Sequence, residues 1–318
     1  MIFLGIDTSC YTTSVAAVDE NGQLICSARK LLSVAEGERG LRQSEAFFKH
    51  VNNFPEIYKQ LTEKIDPKEI AAVCVSTQPR GMTSSYMPVF YAGRRMAETI
   101  AMTLNVPLYA TDHQQGHIQA ALYNNKMPQK QFCAVHLSGG TSEVLLVEEK
   151  ETEFKIRILA QSTDINAGQF IDRIGVLMGC PFPAGKYIDK KAVEYKGERL
   201  TLPISASMDQ CSFSGCEAAA TREYQNSTNE DKLSEAVMSA VARTVAKMAG
   251  GSAYYAGISD ILMAGGVSSS EYLRKNLPTL LQKRGGNFNL HFTASELSAD
   301  NAVGVALLCR KKFLRGNK

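Results

Sequence analysis

No stretch of the 318 residues approaches the ~18 consecutive apolar residues of a membrane-spanning helix. The opening MIFLGIDTSC passes from apolar residues straight into a charged turn, without a basic leader and a long apolar run behind it. Neither a secreted nor a membrane-bound protein is therefore expected, and the cytoplasm is the expected compartment. CxxC pairs are also missing. The cysteines (Cys10, Cys26, Cys74, Cys133, Cys180, Cys211, Cys216 and Cys309) are scattered, mostly through apolar segments, as reduced cytosolic thiols would be. Cys211 and Cys216, the only close pair, are read as core thiols rather than metal ligands. The phosphate-binding GxxxxGK[ST] pattern is absent and no GxGxxG follows a strand, which argues against P-loop and Rossmann folds. Low-complexity segments and short-period repeats are absent too.

What remains is a chain rich enough in core-forming residues for about two domains, with 44% hydrophobic and 21% charged residues. A net charge of +3 is too mild to demand a polyanionic partner. The basic end CRKKFLRGNK, from Cys309 onward, reads as a solvated helix end that could also touch phosphates.

The order of elements is more telling. Apolar strands are expected at Phe3–Asp7, Thr13–Val18 and Leu24–Ala28, the last two joined by a hairpin turn at Glu20-Asn21-Gly22. An amphipathic helix over Gln43–Leu61, a strand at Ile70–Ser76, a helix over Tyr91–Leu104 and a strand at Pro107–Ala110 follow. After a helix carrying two histidines the series restarts: strands Phe132–Ser138, Glu143–Val147 and Phe154–Leu159, helices, strand Ile261–Ala264, helix Ser270–Arg284 and strand Asn287–Thr293. The pattern is β-β-β-α-β-α-β, twice.

Each copy has a small-residue turn between its first two strands, Asp7-Thr8-Ser9-Cys10 and Ser138-Gly139-Gly140-Thr141-Ser142. A third turn, Ala264-Gly265-Gly266-Val267-Ser268, closes a buried strand and leads into a helix whose N-terminus could face an anion. Any one of these is more often just a turn. At matching places in a duplicated α/β pattern, the set predicts a nucleotide cleft between two domains.

His113 and His117, two of only five histidines, lie four apart in TDHQQGHIQAAL. That spacing sets both imidazoles on one helical face, close enough to share a cation, with Asp112 as the helix cap. Taken alone, such a pair is more often incidental. A protease of the HExxH type needs Glu as general base after the first histidine; Gln114 stands there and cannot take a proton. Asp300, before the last helix, is a candidate third ligand, although spacing alone favours a helix cap.

The runs GIDTSCYTTSVAAVD, DHQQGH, HLSGGTSEVLLV, AGQFIDRIGVLMGCPFPAGKYID, CSFSGCEAA, LMAGGVSSSEYLR and SADNAVGVA resemble, in order and spacing, the motifs of the tRNA threonylcarbamoyladenosine synthase (TsaD) family across almost the whole chain. The resemblance implies an α/β, actin-like and hexokinase-like duplicated fold: an N-terminal domain over 1–110, a C-terminal domain over 111–300 and a final helix, 301–318, packing back on the first. It implies one divalent metal, iron or zinc, on His113, His117 and Asp300. ATP or an acyl-adenylate would be bound by His136, Leu137, Ser138, Gly139, Gly140, Asp172, Gly185 and Ser270, with Asp189 assisting. The implied activity is transfer of threonylcarbamoyl from its adenylate to N6 of a tRNA adenosine. Adenylate-forming and small accessory proteins would be its partners beside tRNA.

Departures from the family pattern are selective. Tyr11 and Thr12 replace the acidic pair of ETSCDET; Thr141 replaces the histidine of SGGHTQL; Gln169 replaces a glutamate; Glu217 stands for a lysine; Ser270 stands for an asparagine; and GPGL appears as Pro79-Arg80-Gly81-Met82. Charge at a reacting centre is a leading catalytic term. Two alternatives therefore stand beside transfer to tRNA: a paralogue with a different carbamoyl acceptor, and a nucleotide-binding scaffold without transfer activity.

Overall fold

In the computed structural model, residues 1–9, 11–35, 40–81, 87–227 and 229–316 are described; Cys10, Met82 and the last two residues of the basic end lie outside them. The first five strands, β1 (Ile2–Asp7), β2 (Thr12–Asp19), β3 (Leu24–Leu31), β4 (Ile70–Ser76) and β5 (Leu108–Thr111), form a sheet of order β3-β2-β1-β4-β5. β1 to β3 are the expected antiparallel meander, while β4 joins β1, and β5 joins β4, in parallel. Helices α1 (Gln43–Thr62) and α2 (Phe90–Leu104) supply the crossovers.

The series then repeats. After α3 (His113–Ala121), strands β6 (Gln131–Leu137), β7 (Ser142–Glu149) and β8 (Phe154–Ser162) form a second meander. Helices α4 (Ala167–Leu177) and α5 (Gly185–Glu194) come next, then a short hairpin of β9 (Ser205–Ala206) and β10 (Gln210–Ser212). Helices α6 (Ser214–Gln225) and α7 (Glu230–Ala256), β11 (Asp260–Ala264), α8 (Glu271–Gln282), β12 (Asn289–Phe292), α9 (Ser295–Ser298) and α10 (Val303–Gly316) complete the chain. The second sheet runs β12-β11-β6-β7-β8-β10-β9. Stripped of its hairpin edge, it repeats the order of the first sheet, so the inferred duplication is present in space. The hairpin escaped the sequence reading because segments of two and three residues carry no readable period.

β1 is buried along its whole length, which suits the unbroken apolar run IFLGI at the middle of a sheet covered on both faces. On one face lie α1 and α2, packing Phe54, Ile57, Leu61, Ala97 and Ala101 against Leu4, Ile6 and Val73. On the other lies α10, with Val303, Val305 and Ala306 against Phe3, Ala16 and Cys74. α3 turns Ile118 and Ala121 toward Phe132, Ala134 and Leu145 of the second sheet, and Leu308 of α10 joins them. Two helices thus hold the sheets together.

Glycines set how close these layers come. A Cβ on Gly5 of β1 would lie 2.4 Å from the Ala306 nitrogen of α10, and one on Gly304 would lie 1.8 Å from the Gly116 carbonyl oxygen of α3. β1, α10 and α3 therefore stack nearly backbone to backbone. Gly304→Ala forces α10 off α3, and overpacking of this kind destabilises by about 3 kcal/mol or more. A chemical denaturation midpoint unchanged in that variant would contradict the contact.

The basic end is less solvated than expected. Arg310 Nε donates to the Glu20 carbonyl at 2.7 Å, Lys311 pairs with Glu149 at 2.9 Å, and Arg315 pairs with Glu151. Among the described residues no helix is long and apolar enough to cross a membrane, and the seven described cysteines are free thiols.

Candidate metal centre and interlobe cleft

Stacking α10, β1 and α3 brings their ends together. Asp112 caps α3, its Oδ1 accepting from the Gln115 amide at 2.9 Å. The helix then presents His113 and His117 side by side, with ring centroids 4.3 Å and Nε2 atoms 3.0 Å apart. Asp300 sits three residues before α10. It is Asn301, not Asp300, that caps this helix, accepting from the Val303 amide at 2.9 Å. Asp300 is left to point its Oδ1 at His117 Nε2, 3.2 Å away, and at His113 Nε2, 3.6 Å away.

The three donor atoms make a triangle with sides of 3.0, 3.2 and 3.6 Å. Ligand bonds of ~2.0–2.2 Å hold neighbouring donors about 3 Å apart, so the triangle has the size of one face of a zinc or iron site. Among the described residues it is the one cluster of this kind. Two histidines and one carboxylate are a donor set these ions take readily.

Behind His113 stands Asp7, the last residue of β1. Its Oδ2 lies 2.7 Å from His113 Nδ1, and its Oδ1 accepts the Ser9 amide at 2.7 Å. A carboxylate only accepts, so Nδ1 carries a proton, and Nε2 turns a lone pair to the centre of the triangle once the ring gives up its second proton. Burial would expel a proton from the His113 ring, yet the charges of Asp7 and Asp300 outweigh it and raise its pKa to about 10. Asp300 is half-buried, which alone would raise its pKa, but the two imidazoles hold it well below the usual carboxylate range. An ion bound here displaces a proton and keeps these charges balanced.

His136, at the end of β6, lies over His117 with ring centroids 4.7 Å apart. It is 3% exposed, and neither ring nitrogen has a hydrogen-bond partner among the described residues. Burial, reinforced by the neighbouring imidazoles, drives its pKa well down, so the ring is neutral. An orphaned neutral imidazole beside two histidines fits a site that holds a further group.

The three small-residue turns converge around this point. Ser138 closes the β6–β7 turn by donating its amide to the Thr141 carbonyl at 2.8 Å, while its hydroxyl accepts from the Gly140 amide at 3.2 Å. Gly168 of α4 presses on this turn: a Cβ there would lie 2.7 Å from the Gly139 nitrogen. Gly265, at φ 88°, approaches the Leu137 carbonyl so closely that a Cβ would lie 2.2 Å from its oxygen. Gly139, Gly140, Gly185 and Gly266 instead face open space. With no side chain and open space beside them, these glycines leave the backbone approachable. Leu137 itself is fully buried, so only its backbone is available there.

One expectation needs correction. The N-terminus of α8 does not face an open anion site, because Asp189 already fills it: its carboxylate accepts from Glu271 N at 2.8 Å, Tyr272 N at 3.1 Å and Ser270 Oγ at 2.5 Å. Ser270 is the cap, also accepting from Leu273 N at 3.0 Å. Asp172, one of the residues the family resemblance assigns to the ligand, is half-buried. It reaches from α4 to the start of α5, accepting from the amides of Ala184, at 2.8 Å, and Gly185.

Burial raises the Asp172 pKa from 3.8 to about 6, against the opposing pull of those amides. A folded pKa above the unfolded one means that the native state binds the proton more tightly. Stability is therefore lost as pH rises from the unfolded pKa through about 6. Asp172→Asn keeps the accepting oxygen, so its melting temperature should exceed that of the unaltered protein at neutral pH and match it near pH 4. Equal differences at both pH values would contradict this assignment.

Most of the unusual residues have partners. Glu217 pairs with Arg173 at 3.0 Å, so its charge is answered within the chain. Gln169 completes the α4 capping box with Asn166. Tyr11 crosses between the lobes, its ring edge on to Phe182 with centroids 5.3 Å apart. Two features were missed from sequence. Asp7 was legible only as the acid ending an apolar strand. The cluster of Arg80, Glu143 and Gln114 joins three separate segments: Arg80 Nη2 lies 2.5 Å from Glu143 Oε1, and Gln114 Nε2 donates to Glu143 Oε2 at 3.0 Å.

The solved component A of the (R)-2-hydroxyglutaryl-CoA dehydratase of Acidaminococcus fermentans matches 98% of this chain and 98% of its own, with TM-score 0.60 and 14% identity. At that identity the likeness shows the fold, which is the actin-like, hexokinase-like one expected. In sequence, the chain is 28% identical to the tRNA N6-adenosine threonylcarbamoyltransferase of Neorickettsia sennetsu, over 99% of this chain and 94% of that one. It is 29% identical to the enzyme of the same name from Riemerella anatipestifer, over the same shares. The model of the TsaD family, tRNA N6-adenosine threonylcarbamoyltransferase, matches residues 32–307. With that match running through the histidine helix, the glycine turns and Asp300, the chain belongs to the tRNA N6-adenosine threonylcarbamoyltransferase family.

Proposed function

We propose that this protein transfers a threonylcarbamoyl group from threonylcarbamoyl-adenylate to N6 of an adenosine in tRNA, using one divalent metal ion, iron or zinc, held by His113, His117 and Asp300. The observation that carries this reading is the triangle of donor atoms with Asp7 behind it, in a chain of this family. When bound, the ion supplies a Lewis acid and a template for the acyl group.

The chain's own residues do the rest. Asp7 orients His113. Glycines 139, 140 and 185, having no side chain, let the adenylate come close to the backbone, whether it arrives as such or as ATP, and His136 offers a ring nitrogen to it. In the reaction the N6 nitrogen bonds to the carbamoyl carbon, and the bond from that carbon to the phosphate oxygen breaks. AMP leaves with the electron pair, and one N6 proton is released. The cleft contributes by holding the two reactants in line and excluding water. Lobes of 1–110 and 111–300, with 301–318 returning to the first, would open and close around it. We expect the protein to work in the cytoplasm, beside tRNA and an adenylate-forming partner.

Label carried on the threonine carbons of threonylcarbamoyl-adenylate should pass to unmodified tRNA only with metal-loaded protein. Full transfer by metal-stripped protein would overturn the metal's role.

A further inference from the structure

Arg80 lies in the turn that follows β4, and that turn is fastened to the head of α3. The His113 amide donates to the Gln78 carbonyl at 2.9 Å, and the Gln114 amide to the Pro79 carbonyl at 3.1 Å. The guanidinium is therefore carried to within one residue of the candidate metal centre. There Nη2 meets Glu143 Oε1 at 2.5 Å, while the other Glu143 oxygen accepts from Gln114. The Glu143 side chain is 1% exposed and that of Arg80 29%. Strand pairing sets Glu143 directly opposite His136, so both side chains share the face that carries the centre.

A buried ion pair is weak evidence for stability, because desolvation offsets most of its attraction. Here the pair joins two turns that depart from the GPGL and SGGHTQL patterns, and it holds a cation at the cleft. An arginine has five N–H donors and no acceptor. Among the described residues Glu143 is its one ion-pair partner, and it takes one corner of the fork. Among the described residues the other donors meet no hydrogen-bond partner, and the side chain is partly exposed, which leaves them available. That is how arginine recognises paired anionic oxygens.

We infer that Arg80, pinned by Glu143 and Gln114, binds an anionic oxygen pair of the small-molecule substrate and so sets which acyl-adenylates this protein accepts. The inference rests on the proposed function. Two groups of such a substrate carry the chemistry, the free carboxylate of the acyl group and the phosphate of the adenylate.

Binding separates them. Dissociation constants are measured for threonylcarbamoyl-adenylate, for carbamoyl-adenylate lacking the carboxylate, and for AMP. Arg80→Ala alone would strand Glu143, so the neutral pair Arg80→Gln with Glu143→Gln is used, with its melting temperature recorded. Arg80→Lys keeps the charge without the fork and serves if the pair does not fold. A loss of about 10- to 100-fold is expected in the pair, since hydrogen bonds to charged groups carry that much. Arg80→Lys should lose several-fold. A loss confined to threonylcarbamoyl-adenylate assigns Arg80 to the carboxylate; an equal loss for all three ligands assigns it to the phosphate. Unchanged constants in the folded variants overturn the inference. Failure of the unaltered protein to bind any of the three would instead sink the proposed function.

Discussion

Replacing His113 and His117 together by alanine should take the metal content, measured by plasma mass spectrometry, from one ion per chain to background. Each nitrogen is one of three protein donors, and the pair lies on one side of the triangle. A four-ligand zinc site is worth ~10–16 kcal/mol, or on the order of 3 kcal/mol per ligand, so losing two weakens binding about 10⁴-fold. Asp300 alone cannot retain an ion through purification at that loss. Transfer to tRNA should fall with the metal. Retention of a stoichiometric ion by the doubly substituted protein would mean that the donors lie elsewhere. Both rings are buried, so the melting temperature of the variant is recorded beside its metal content.

Asp7→Asn is expected to cut metal affinity by about 10- to 100-fold while leaving all three ligands in place. The substitution is nearly isosteric, and the amide oxygen still accepts from Ser9. The difference is the NH₂ group it turns toward His113 Nδ1. That group donates, so the ring must accept at Nδ1 and carry its proton on Nε2, where the ion should bind. The wrong tautomer, rather than lost bulk, weakens the site. Competition with a chromophoric chelator measures it. An affinity equal to that of the unaltered protein would show that Asp7 does not set the ring.

How far the centre could be seen from sequence follows from how local each signal is. His113 and His117 are one helical turn apart, so their proximity follows from helix geometry alone. Asp300 lies 183 residues from His117 and was found through the family motif; its own spacing suggested a cap, a job the structure gives to the neighbouring Asn301. Asp7 is 106 residues from His113, and nothing near it in the chain signals its partner. The same holds for Arg80 and Glu143, which only the closing of two sheets on each other brings together. The duplication was legible because strand and helix periods repeat within short windows, whereas β9 and β10 are too short to show one. Asp189 was read as a helper in ligand binding; the structure shows it occupying the head of α8, since a turn of α5 reaches that helix only in space.

Transfer to tRNA is tested most directly by mass spectrometry of nucleosides. Unmodified tRNA is incubated with the metal-loaded protein and threonylcarbamoyl-adenylate, then digested to nucleosides. An adenosine heavier by one threonylcarbamoyl group should appear, and should be absent when the protein carries His113→Ala and His117→Ala. Unmodified adenosine throughout, from protein that holds its metal and binds the adenylate, would contradict the assignment of this chain as the transferase.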